Sequence, residues 1–128
     1  QMIPHKRLIH VFGATGGHRD VSKRFEFGKI SAQFADTIII TNDDVYETPP
    51  TEIAADIMKG VESLGEKKKA SSVLTVLDRK EALAKALEIA EPKDLIIVTG
   101  KGSEQFLVLP GNKRIDWDER TIIEELLK

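Results

Sequence analysis

Leu8-Ile9-His10-Val11-Phe12-Gly13-Ala14-Thr15-Gly16-Gly17-His18-Arg19-Asp20 joins an apolar run of strand length to a glycine-dense turn, and a helix-like segment opens near Ser22. Strand, glycine turn and helix start together form an anion site. Glycines let backbone N–H groups come close to a ligand, and the helix N-terminus adds partial positive charge. This turn also carries His18, Arg19 and Asp20, with Lys23 and Arg24 just beyond. The bland alternative is a topological βα turn with a solvated charged exit.

Three further apolar runs follow, at residues 37–41, 73–77 and 95–99. All are short, aliphatic and without alternation, as expected of parallel strands covered on both faces. Helical patterns separate them. In the first, Phe27, Ile30, Ala32 and Phe34 read as the buried side, leaving Lys29 and Gln33 to water. Pro49 and Pro50 open the second, where Ile53, Ile57, Val61 and Leu64 keep helical spacing and Gly65 can end it. The third starts with an Asp78 cap and Glu81 three residues on, shows Ala82, Leu83, Ala86, Leu87 and Ala90 on one face, and stops at Pro92. Residues 104–109 read as a fifth strand that turns at Pro110-Gly111-Asn112 into a hairpin, and residues 118–128 as a last helix. The predicted fold is α/β, a Rossmann-like, doubly wound, mainly parallel sheet with a C-terminal β-hairpin and helix, forming one domain over residues 1–128.

Composition narrows the function. A net charge of −2 gives no global case for nucleic acid. No run approaches the length of a membrane span, and the start has no apolar signal region. With no cysteine there is no disulfide and no thiolate site, which fits a reducing, cytoplasmic setting. Gly65-Glu66-Lys67-Lys68-Lys69 reads as a solvated loop.

Ligands of open parallel sheets collect beyond the carboxyl ends of the strands. Three exits carry the polar load: the glycine turn, Asn42-Asp43-Asp44-Val45-Tyr46-Glu47, and Gly100-Lys101-Gly102-Ser103-Glu104. Strand three runs simply into Asp78-Arg79. Each loop also has a plainer reading, since Asn and Asp favour turns and Gly100-Lys101-Gly102 can be a tight turn. His5 and His10 read as incidental. No His/Asp/Glu set has metal-ligand spacing, and Ser22 and Ser103 lack a base.

Together these loops resemble the C-terminal domain of the Mur ligases, nearest the MurE type. Gly16-Gly17-His18-Arg19-Asp20 with Lys23-Arg24 matches the family's glycine run followed by Asp-Arg-Asp and Lys-Arg. Asp43-Asp44-Val45-Tyr46 falls on its Asp-Asn-Pro-Arg, and Gly100-Lys101-Gly102-Ser103-Glu104 on its Gly-Lys-Gly-His-Glu. Asp116-Trp117-Asp118-Glu119-Arg120 matches the aspartate-rich start of the closing helix.

The resemblance implies a ligase that uses ATP and Mg²⁺ to make an acyl phosphate on a UDP-N-acetylmuramoyl-peptide, which an incoming amino acid then attacks. Its central domain holds the nucleotide and metal, and the C-terminal domain closes over them. No G-x-x-x-x-G-K-[ST] occurs here. With the first strand starting at Leu8, the expectation is a fragment of a longer ligase, inactive alone and partnered by the central ATP-binding domain of the same polypeptide. By the same resemblance, Asp20 and Lys23 are the catalytic candidates and, with His18, contact ATP. Arg19, Asp43, Asp44, Tyr46, Gly100 and Glu104 fall to the amino-acid substrate. His18 stands where an acid is usual, Asp44 replaces an asparagine, and Tyr46 replaces the arginine associated with diaminopimelate. Losing that clamp beside Asp43, Asp44, Glu47 and Glu104 points to an acceptor ending in an amine, such as lysine or ornithine. Competing readings are a related folylpolyglutamate- or cyanophycin-type ligase domain, a stand-alone Rossmann-like nucleotide or amino-acid binder, and an interaction domain.

Overall fold

The structure is a computed structural model, and it describes residues 7–14, 16, 21–99, 106–109, 113–116 and 119–127. Strands β1 (Leu8–Phe12), β2 (Thr37–Ile40), β3 (Ser72–Thr75) and β4 (Leu95–Val98) form one parallel sheet in the order β3-β2-β1-β4. Helices α1 (Val21–Phe34), α2 (Pro50–Glu62) and α3 (Arg79–Ile89) connect them. Strands β5 (Phe106–Leu109) and β6 (Lys113–Asp116) pair antiparallel with Phe106 opposite Asp116, and α4 (Glu119–Leu126) follows. The predicted architecture is therefore present. The hairpin's turn, residues 110–112, lies outside the described residues.

Every residue of β1 and β2 is buried, as continuous aliphatic strands should be. The flanking strands β3 and β4 are only partly covered, because each lies at an edge of the sheet. Two cores result. One gathers Phe12, Ala32, Ile38, Ile40, Val45, Ile53, Ile57 and Val61. The other packs Ile9, Val11 and Ile39 against Ala82, Leu83 and Ala86 of α3, with Ile122, Ile123 and Leu126 of α4 alongside.

Local chemistry explains most boundaries. Pro50 begins α2, where its missing N–H is no loss. Asp78 Oδ1 accepts the Glu81 N–H at 2.9 Å and caps α3 as its sequence foretold. Helix α2 stops at Glu62, and Gly65, at φ 54°, sits in a short 3₁₀ turn beyond it.

Helix α1 corrects the sequence reading. Phe27 and Ile30 are 43% and 52% exposed, while Arg24, Gly28, Ser31 and Ala32 face inward. The reason is the intimacy of α1 with α2. A Cβ on Gly28 would collide with the Ile57 carbonyl, and one on Gly60 with the Phe25 carbonyl. Backbones that close leave no room for large side chains between them. Arg24, buried on this face, reaches Asp56 of α2 at 2.9 Å.

Candidate functional site

Three loops leave the carboxyl edge of the sheet, and the backbone fastens their roots together. After β1, the Gly16 N–H donates to the Asp44 carbonyl at 2.7 Å, joining the glycine turn to the loop after β2. The Thr41 N–H donates to the Phe12 carbonyl and the Thr99 N–H to the Val11 carbonyl, at 2.9 and 3.1 Å. Gly13 and Gly16 prove to serve this closeness. A Cβ on Gly13 would strike the Thr41 carbonyl, and one on Gly16 the Val45 carbonyl. Here the two glycines make room for protein backbone, where the sequence reading had them clearing space for a ligand.

Between these loops the N-terminus of α3 contributes a side chain that sequence reasoning passed over. Arg79 is 2% exposed. Its Nη1 donates to the Asn42 carbonyl at 2.9 Å and its Nη2 to the Thr99 carbonyl at 3.2 Å. Strand three's exit is thus not a simple run into a helix. A signal was available: a cation at the first position of a helix opposes the macrodipole and needs another reason to be there.

His10, read from the sequence as incidental, is built into the interior. It sits in the middle of β1 and is 7% exposed. One ring nitrogen meets Ser31 Oγ at 2.7 Å and the other Thr99 Oγ1 at 2.9 Å. The ring stacks on Phe12 with centroids 4.4 Å apart, and Phe34 lies 5.3 Å away. Burial pushes its pKa from 6.5 down to about 4, so the imidazole is neutral, one nitrogen donating and the other accepting. It lines a cavity of about 390 Å³ with Phe12, Phe27, Ile30, Phe34 and Asp43.

Of the predicted site residues, Lys23 is exposed in the first turn of α1. Asp43 is half-buried at the cavity, and its Oδ1 accepts the Asp44 N–H at 2.8 Å, so the carboxylate also shapes its own turn. Asp44 is buried. Tyr46 is exposed and holds φ 53°, a left-handed conformation unusual for a bulky residue. His18, Arg19, Asp20, Gly100 and Glu104 lie outside the described residues, as does Ser103. The described Gly16 and Thr99 lie at the edge that carries Asp43 and Asp44. Among the described residues no group of three or more His, Cys, Asp or Glu side chains could hold a metal ion. No described helix is long and apolar enough to cross a membrane.

Residues 1–102 match the family described as Mur ligase, glutamate ligase domain. The chain belongs to the Mur ligase family. Among its relatives, the UDP-N-acetylmuramoyl-L-alanyl-D-glutamate–2,6-diaminopimelate ligase of Clostridium botulinum is 40% identical over 122 residues, 95% of this chain and 23% of that protein. The ligase of the same name from Caldanaerobacter subterraneus subsp. tengcongensis is 41% identical over 121 residues, 94% and 24% of the two chains. A solved structure of a ligase of this name superposes with a TM-score of 0.81 at 27% identity, covering 95% of this chain and 24% of that one. The chain spans about a quarter of the length of the relatives it matches.

Proposed function

We propose that the chain is the C-terminal domain of a longer cytoplasmic ligase that uses ATP to add an amino acid, as the third residue, to a UDP-N-acetylmuramoyl-dipeptide. Support comes from the family match together with one structural observation: the roots of the three motif-bearing loops are tied to a single sheet edge by Gly16, Asn42, Asp44 and Thr99. Relatives at about 40% identity are named for a reaction of this class.

The roles follow from charge. ATP brings phosphates, and Lys23, an exposed cation in the first turn of α1, suits them, with His18 and Asp20 just before it. Mg²⁺, held chiefly by the central domain, would offset the charge of those phosphates. Arg19 offers a planar two-pronged donor for the carboxylate of the incoming amino acid. Asp43 and Asp44 lie in the loop that carries Tyr46, and the family resemblance adds Gly100 and Glu104 to the same acceptor site; that many carboxylates would favour an ammonium over a second carboxylate. The acceptor is accordingly a diamino acid ending in an amine. Closing the domain over the acyl phosphate keeps water from it.

The test uses the full-length polypeptide with ATP, Mg²⁺ and the UDP-dipeptide. ADP release should require an added amino acid, with lysine or ornithine outcompeting diaminopimelate. Absence of amino-acid-dependent ADP release removes the ligase reading. Preference for diaminopimelate, the acceptor in the relatives' names, removes the amine-ended acceptor alone.

A further inference from the structure

We infer that the cavity between α1 and the carboxyl end of β1 is the side-chain pocket of the acceptor amino acid. Its apolar wall holds the methylene stem and Asp43 the terminal ammonium; this rests on the ligase reading above. At about 390 Å³ the cavity is at the small end of ligand sites. Phe12 of β1 and Phe27, Ile30 and Phe34 of α1 form its apolar wall. Phe27 and Ile30 are exposed and fill no core, because the closeness of α2 gives the inward face of α1 to Gly28, Ser31 and Ala32. Large apolar side chains gathered around an open cleft mark a binding surface.

The polar groups of the cavity choose the occupant. Its two hydroxyls, Ser31 Oγ and Thr99 Oγ1, are engaged with the ring nitrogens of His10 at 2.7 and 2.9 Å. The imidazole is neutral, so it does not repel a cation. Asp43 is the one acidic side chain among the described lining residues, and no Lys or Arg stands with it there. A carboxylate accepts several hydrogen bonds at once, so an ammonium can add to the bond it takes from the Asp44 N–H. A carbon stem with one positive end therefore matches both the wall and the charge. A stem ending in a carboxylate would meet Asp43 with like charge. Asp43 is itself a candidate acceptor contact, which makes the acceptor's own side chain the occupant.

Stem length then becomes a ruler. In the full-length polypeptide, amino-acid-dependent ADP release is measured with 2,4-diaminobutyrate, ornithine and lysine, which differ by one methylene each. Wild type is compared with Phe27→Gln and Ile30→Gln, exposed positions where glutamine keeps the helix and removes apolar wall. In wild type the acceptor KM should fall about three- to fourfold per added methylene, the effect of taking one CH₂ out of water. Each variant should flatten that series and raise the lysine KM about fivefold, with KM of ATP and of UDP-dipeptide within about twofold and the melting temperature unchanged. A wild-type KM indifferent to stem length overturns the inference, as do variants that leave the series as steep as before. So does a joint decline of every KM, kcat and melting temperature, or failure of both variants to fold, since either assigns Phe27 and Ile30 to packing alone. Inhibition by n-butylamine that rising lysine does not relieve would place a separate amine in the cavity and also overturn it. Preference for diaminopimelate removes it together with the amine-ended acceptor. A wild-type protein without amino-acid-dependent ADP release removes the ligase reading and this inference with it, whereas a flat series in an active enzyme removes this inference alone.

Discussion

Protonating His10 would place a charge against the Phe12 and Phe34 rings; among the described residues the Ser31 and Thr99 hydroxyls bond its ring nitrogens, and the Asp43 carboxylate lies further round the same cavity. The folded state resists this, and burial holds the pKa at about 4 against 6.5 in an unfolded chain. Between those values the unfolded chain binds a proton that the native one refuses. Stability from this site is therefore complete above about pH 6.5 and is lost as pH falls toward about 4. By pH 5 the loss is on the order of 2 kcal/mol. Urea titrations at pH 7 and pH 5 should show it, and His10→Gln should flatten the difference by about that amount, with His5 and His18 still present as controls. Parallel pH profiles for the two proteins would show that His10 is protonated in the fold. A lone polar residue inside an aliphatic strand is visible in the sequence. Its two hydroxyl partners, 21 and 89 positions away, are not.

At the scale of elements, α1 and α2 make the sharpest test of how the domain is packed. Intrinsic propensity says that replacing a glycine inside a helix with alanine gains about 1 kcal/mol. Here the sign should reverse. The added methyl of Gly28→Ala meets the Ile57 carbonyl, and that of Gly60→Ala meets the Phe25 carbonyl, both rigid backbone. Each variant is expected to lose about 1–3 kcal/mol of unfolding free energy in chemical denaturation, the usual penalty of overpacking. A gain in either would mean that the helices stand further apart. The same geometry explains which elements were legible. In α2 the buried residues Ile53, Ile57 and Val61 repeat at helical spacing, and the Asp78 cap of α3 is local, so periodicity and capping rules sufficed for both. In α1 the inward face is Arg24, Gly28, Ser31 and Ala32, chosen by the closeness of α2 and by His10. A rule that sends large apolar residues inward puts Phe27 and Ile30 on the wrong side.

Across the whole molecule, the described part of the polar edge, Gly16 with Asn42, Asp43 and Asp44, was legible because a parallel sheet sends its loops to one end. What fastens the edge was hidden. Arg79 binds two carbonyls, and the glycines make way for two more, groups that every residue supplies and no sequence pattern marks. On the proposed reading this edge is half of a reaction site that meets two substrates, and the chain has no G-x-x-x-x-G-K-[ST] loop to cradle the nucleotide. An acyl phosphate forms only when nucleotide and carboxylate are held in near-attack geometry, and it survives only when water is kept out. One open edge can do neither. The 128-residue chain by itself, given ATP, Mg²⁺, UDP-dipeptide and lysine, is therefore expected to unfold in one cooperative transition yet release no amino-acid-dependent ADP above the protein-free rate. The full-length polypeptide under the same conditions should turn over. ADP release by the isolated chain that responds to lysine concentration would mean that this edge holds and activates the nucleotide unaided, and the division of labour between two closing domains would have to be abandoned.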